Sequence, residues 1–226
     1  MRLRLLAIAA VVVAGFVSFA AAPAQASHSW NGYHWNRTGE LHINVYRSVT
    51  SDWTSAYGTA INDWNASAWI GVTTVAGATD TSTRSSCPFV TGAVRVCNYA
   101  YGATGWSGLA SINVSGSHIT RAVAKMNDTY LASSSTAMRQ LVMCQEVGHD
   151  WGLAHQDENF SNPNLGTCMD YTSNPLGPPN NTHPNTHDYN QLAAIYNHSG
   201  IAADADYSGR TMIRTGETVT MVTWNE

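Results

Sequence analysis

The sequence predicts an α+β fold, with a twisted mixed sheet, two long helices and an irregular C-terminal region that closes with a final helix. Three observations predict it. Short alternating or β-branched runs recur through the first half of the chain, as strands require. Two longer segments repeat apolar residues at three- and four-residue steps, the period of a half-buried helix. Beyond His155 and up to Thr186 the chain is instead dense in Asn, Pro, Gly and Ser, with one more helical segment after it.

Taken in order, Arg2 and Arg4, the apolar run Leu5 to Ala22 and the triplet Ala24-Gln25-Ala26 read as a secretory signal over residues 1–26. The run is long enough to tempt a membrane-span reading. The cleavage triplet and the polar, Trp-rich stretch after it favour removal, so a secreted, extracellular protein with no membrane anchor is expected. Residues 27–40 read as a short polar and aromatic segment. Leu41, Ile43 and Val45 alternate with polar residues, a half-buried strand. Thr50 or Ser51 can cap a helix opening at Asp52, on which Trp53, Ala56, Tyr57, Ala60, Ile61 and Trp64 form a core-facing stripe. Trp69 to Val75 reads as a strand, Thr79 to Ser86 as a polar loop and Ala93 to Tyr101 as a strand. Gly102, Gly105 and Gly108 punctuate a loop ahead of a strand at Leu109 to Val114. Ser115-Gly116-Ser117 then turns the chain into another at His118 to Met126. A second helix is expected from about Ser134 to Trp151, with Ser134 or Ser135 as N-cap and Gly152 as a left-handed stop. The last helix is placed at about His187 to His198. Residues 41–200 thus form one domain, and 201–226 an extension packed on it, in which Thr218 to Trp224 alternates like a strand.

Charge narrows the partners. The formal net charge is −4, and loss of Arg2 and Arg4 with the leader makes it two units more negative. Lys125 is the sole lysine. Such a chain has no footprint for a phosphate backbone, so nucleic acid is not an expected partner. A monomer is expected. The four cysteines, an even count in an exported chain, suggest two disulfides in one of three connectivities. Cys87–Cys97 is favoured because it staples a local loop, which leaves Cys144–Cys168. A four-cysteine zinc site lacks any C-x-x-C spacing.

The second helix carries the chemistry. Gln145 and His149 are four apart and share one face, which Glu146 flanks. Gly152 permits a sharp turn with positive φ, after which His155 can point back at the helix. A metal held by His149 and His155 lies within reach of Glu146 through a bound water. Zinc lowers the pKa of such a water to roughly 7 and polarises a scissile carbonyl. A carboxylate beside it takes the proton and passes it to the leaving amine. A lone histidine on a helix is more often a satisfied core residue; two at this spacing, with Glu146 and Gly152 in place, point to a site. His183 and His187 are also four apart, but in a Pro/Asn-rich stretch where helical spacing means little. Asp204-x-Asp206-x-Ser208-Gly209 starts like a calcium loop but has Thr215 where the bidentate glutamate belongs, so a turn is the reading.

This arrangement resembles the metzincin metallopeptidases, whose pattern is H-E-x-x-H-x-x-G-x-x-H followed by a turn containing methionine. Glu146, His149, Gly152 and His155 match it, and Cys168-Met169-Asp170-Tyr171 resembles the Met-turn. Tyr171 is similar to the metal-proximal tyrosine of astacin-like and serralysin-like members. Gly108-Leu109-Ala110 resembles the matrixin edge-strand segment along which a substrate lies extended. The resemblance spans roughly Leu41 to Gly200. It implies a metzincin-like, two-lobed domain with Zn2+ in the cleft, Gln145, His149 and His155 around the metal, and Glu146 and Tyr171 as catalytic groups. Met169 and Gly152 are implied as structural residues, and the substrate as an extended peptide or protein added to the sheet near Leu109 to Asn113. Gln145 departs from the pattern, which has histidine there. Its amide oxygen is a poorer zinc donor than imidazole. Either Gln145 ligates through oxygen, or another group such as Asp157 completes the shell, or the metal is bound weakly; the helix already aims position 145 at the site. A Cys144–Cys168 bridge would fix the turn under the metal.

The expected function is therefore secreted zinc endopeptidase, with Glu146 as general base. The rival is a domain that keeps fold and metal without turnover and serves as a binding module. A purely structural extracellular domain is the third reading, which Met169 and Tyr171 disfavour.

Overall fold

A computed structural model describes residues 27–37, 40–197 and 212–225. The expected signal segment, the last residue of the expected final helix and the turn from Asp204 to Gly209 lie outside the described residues. Strand β1 (His34–Trp35) is followed by β2 (Leu41–Ser48), a 3-10 turn at Ser51–Trp53 and helix α1 (Thr54–Trp64). Next come β3 (Ile70–Ala76), the short helix α2 (Thr81–Ser86), β4 (Ala93–Tyr99), β5 (Trp106–Ser115) and β6 (His118–Asn127). Helix α3 (Asp128–Leu131) leads into α4 (Thr136–Asp150). The irregular stretch ends at α5 (Thr186–Tyr196), and β7 (Met212–Thr215) and β8 (Thr218–Trp224) complete the described elements.

The strands form one mixed sheet in the order β3-β2-β4-β6-β5-β8-β7, with β1 added to β6. Its β3-β2-β4-β6 half is parallel, and β5, β8 and β7 run antiparallel to their neighbours. The stripe read on α1 is buried as expected, and α1 and α4 pack with the sheet into one continuous core. Trp64, fully buried on α1, donates from Nε1 to the Cys144 carbonyl of α4 at 3.1 Å. This is the α+β architecture that the sequence predicts. Both disulfides are the favoured pairs, Cys87–Cys97 and Cys144–Cys168. No helix among the described residues is long and apolar enough to cross a membrane.

Five local expectations change. Thr79 to Ser86 is not all loop: Asp80 caps α2 by accepting from the Thr83 amide at 2.9 Å. That helix buries no residue, so it has no apolar stripe to read. Thr50 precedes the 3-10 turn without a side-chain cap bond, because its hydroxyl accepts from Asn98 Nδ2 at 3.2 Å. Residues 27–37 are not merely a polar lead-in, since Trp30, Tyr33 and Trp35 belong to the core. The loop ahead of β5 is shorter than read, and Gly108 lies within the strand.

The fifth change bears on function. Leu109 to Asn113 is not a sheet edge. β8 pairs with it antiparallel, Leu109 opposite Val222 and Ile112 opposite Val219. The pairing is decided by nonlocal burial: Val219 and Met221 are fully buried and Val222 nearly so. The C-terminal extension is thus a structural part of the sheet, and β7, which sequence reading missed, is its outermost strand on that side.

Candidate metal centre

Helix α4 starts where Ser135 accepts from the Met138 amide at 3.1 Å, and every residue from Leu141 to Asp150 is buried. Two glycines let the site close. A Cβ at Gly148 would stand 2.6 Å from Met169 Sδ and 2.7 Å from the Trp64 ring, so only glycine lets the Met-turn and α1 meet here. Gly152 has φ +92° and a hypothetical Cβ 2.0 Å from the Tyr33 carbonyl oxygen. The left-handed turn there brings the Leu153 carbonyl back to His149 Nδ1, at 2.8 Å.

That contact fixes a tautomer. A carbonyl only accepts, so His149 Nδ1 carries the proton and Nε2 the lone pair. His155 Nδ1 faces Glu158 Oε1 at 3.3 Å, which assigns its proton the same way. The two Nε2 atoms then face each other 2.9 Å apart, with the rings edge to face at 4.5 Å between centroids. Burial lowers the pKa of both, that of His149 far below its ordinary value, and each is further lowered by neighbouring histidine charge. Each ring so turns a neutral imidazole nitrogen toward the other. The pair therefore suits zinc, which takes histidine nitrogen readily. Trp30 closes one side, its ring edge-on to His149 at 5.9 Å.

Glu146 is wholly buried, and neither carboxylate oxygen makes a hydrogen bond of ordinary geometry. Its room comes from Gly108, where a Cβ would fall 2.2 Å from Oε1. Burial pushes the carboxyl well above its usual range, with the nearby Thr223 hydroxyl acting in the opposite sense. Asp150, one turn on, is also buried without a partner for its carboxylate and is raised by burial and then by Glu146. Tyr171 stacks obliquely on His155 at 4.5 Å, and its hydroxyl donates to the Val222 carbonyl at 2.7 Å. Burial, with the Glu146 and Glu158 charges behind it, drives its pKa up. Met169 is fully buried against Gly148.

The remaining expected positions divide. Gln145 is buried on the site side of α4; its Nε2 donates to the Cys168 carbonyl at 2.8 Å, and its Oε1 accepts the Thr223 hydroxyl at 2.7 Å. The oxygen that could serve a metal is thus engaged by the tail. Asp157 turns into its own loop, accepting from the Asn159 amide and from Asn162 Nδ2. His183 contacts Asp63 at 2.7 Å and His187 packs on His28, so these two do not form a pair. Among the described residues no group of three or more His, Cys, Asp or Glu side chains gathers for a metal. Sequence reasoning missed Glu158, which was legible as a carboxylate three residues past His155, and Thr223, for which no local signal exists. Beside the centre lies a cavity of about 250 Å³, lined by Leu131, Met138, Leu141, Val142, Tyr171 and Trp224 among others.

No protein-family model matches the chain, and no curated protein is recovered as a relative. Among solved structures the chain is similar to high choriolytic enzyme 1, a hatching enzyme zinc-protease from Oryzias latipes, the medaka fish. The similarity covers 74% of this chain and 96% of that one, at 12% identity and a TM-score of 0.40. A likeness that distant transfers no activity, and the functional reading rests on the site itself.

Proposed function

We propose that the chain is a secreted, monomeric zinc-dependent endopeptidase acting on extended peptides. The observation that carries this is the convergence of His149 Nε2 and His155 Nε2 at 2.9 Å, each aimed by a partner on Nδ1, with Glu146 wholly buried three residues before His149 on the same helix. An unpaired carboxylate in a protein interior is costly, and a catalytic duty accounts for its retention. His149 and His155 would hold the zinc, with Gln145 Oε1 as the third donor. When bound, zinc supplies a Lewis acid and brings the pKa of a water to about 7.

The residues then divide the labour. Glu146 takes the proton of the attacking water on one carboxylate oxygen and delivers it to the leaving amine. The Tyr171 hydroxyl, which donates to a main-chain carbonyl at Val222, would donate to the carbonyl under attack in the same way. Glu158 holds the His155 ring in the tautomer that leaves Nε2 for the metal. Two disulfides, one of them tying α4 to the Met-turn, fit an oxidising extracellular setting.

A second reading, a metal-holding domain without turnover, is favoured by one contact: the Gln145 oxygen is already bonded to Thr223. The two readings separate in one series of purified mature protein. Zinc content and chelator-sensitive cleavage of an unfolded protein substrate are measured for the natural chain, Glu146→Ala, Gln145→His and Gln145→Ala. The peptidase reading expects zinc in the natural chain, tighter zinc in Gln145→His, loss of zinc in Gln145→Ala, and zinc without cleavage in Glu146→Ala. Cleavage unchanged by Glu146→Ala refutes the mechanism. No chelator-sensitive cleavage in the natural chain or in Gln145→His favours the binding module.

A further inference from the structure

Three of the groups assigned to the chemistry, Tyr171, Gln145 and Glu146, meet one segment of the same chain. Val222 takes the Tyr171 hydroxyl on its carbonyl at 2.7 Å, and Thr223 places its own hydroxyl on Gln145 Oε1 at 2.7 Å. Thr223 also lies close enough to Glu146 to influence its proton. Glu146 and His149 are fully buried and His155 almost so. The cover is held along its length. Ser111 and Thr220 hydroxyls meet at 2.8 Å, Asn113 Nδ2 donates to Thr218 Oγ1 at 2.8 Å, and the Asn225 amide donates to the Gly105 carbonyl at 2.8 Å. Trp224 lines the apolar cavity beside the centre.

The covering strand lies as a bound peptide would. An extended chain recognised by strand addition hydrogen-bonds through its main chain along one strand and places side chains in flanking pockets. β8 does this antiparallel to β5, with a main-chain carbonyl on Tyr171 and a side chain at the cavity. We propose that β8 occupies the substrate's place on β5, and that the chain is latent while this strand is seated. The proposal rests on the reading of the site as a peptidase centre. It assigns the surface a resident occupant, Thr218–Trp224, and a competing one, an extended peptide of the substrate class. Latency is then built into β8 itself.

The test keeps the chain whole. Ser111 and Thr220 stand opposite each other with touching side chains, within the span a disulfide accepts. Ser111→Cys combined with Thr220→Cys lets β8 be locked by oxidation and released by a mild reductant, with the natural chain under the same reductant as control. Thr223→Ala, which removes the hydroxyl that bonds Gln145 and acts on Glu146, is the second variant. Each form is assayed for zinc content, for cleavage of a quenched fluorescent peptide and for binding of an extended peptide ending in a hydroxamate. At equal zinc, the locked form is expected to lose cleavage and hydroxamate-peptide binding at least tenfold relative to its reduced form. Thr223→Ala is expected to gain both several-fold over the natural chain. Equal values in locked and reduced forms overturn the proposal, as does binding of the hydroxamate peptide by no form at all. If binding follows the lock while no form cleaves, the peptidase reading fails and the occupancy of β5 by the tail stands.

Discussion

Replacing Glu146 by glutamine should make the zinc-free chain progressively more stable than the natural one as pH rises. In the folded state the carboxyl is fully buried, has no ordinary hydrogen bond, and has its pKa raised well above 4.5, first by burial. In the unfolded chain it titrates near 4.5. Above that pH the unfolded state releases a proton that the folded state keeps, so stability is greatest below 4.5. It then falls until the folded pKa is reached. The slope for one group is at most about 1.4 kcal/mol per pH unit, and it acts only between the unfolded and folded pKa values. For a chain of this size each pH unit in that window is a melting-temperature difference on the order of 3–6 °C. Glutamine does not titrate and loses this slope. The two histidines, which are lowered, titrate in both proteins and largely cancel in the difference, while Asp150, raised by burial and in part by Glu146, loses the latter part in the variant and adds to the gap. The assay is thermal or urea unfolding of both proteins in chelator between pH 5 and 7. The gap should widen with pH; two stability curves that stay parallel would refute the burial argument.

Two further outcomes follow from the geometry of the centre. Gly152→Ala must place a methyl 2.0 Å from the Tyr33 carbonyl in a backbone with φ +92°; adding left-handed strain to an overpacked contact, it should cost roughly 3 kcal/mol or more by denaturant unfolding, and a loss under 1 kcal/mol would show that the turn relaxes freely. Glu158→Gln weakens the partner on His155 Nδ1 without touching Nε2, so zinc affinity measured by chelator competition should fall about 10- to 100-fold with the melting temperature of the zinc-free chain little changed. An unchanged zinc affinity would remove Glu158 from the centre.

What was legible in the sequence was what is local. Periods of two and of three to four residues announce β2, α1, β6 and α4, because each buries one face against the same core. The spacing of Glu146, His149, Gly152 and His155 also reads directly, since a helix and one left-handed turn fix how those side chains converge. The silent elements are those whose order comes from other interactions. Helix α2 has no apolar face, only the Asp80 cap, and Trp30, Tyr33 and Trp35 sit in a segment too short to show a period. Glycine at 108 reads as loop punctuation, while in the fold it is the space that Glu146 fills.

The tail shows the division most plainly. Alternation from Thr218 to Trp224 declares a strand, and the sequence alone settles that much, because side chains on a strand must alternate between core and outside. Which strand it pairs with is a matter of register between residues about a hundred positions apart, and no local pattern encodes it. Only the tertiary structure seats Val222 opposite Leu109 and brings Thr223 onto Gln145. The sequence determines two histidines set about a left-handed turn, with a glutamate one turn earlier on the same helix. The fold decides that the open sheet edge expected beside them is closed by the chain's own end, because burying Val219, Met221 and Val222 there completes the core.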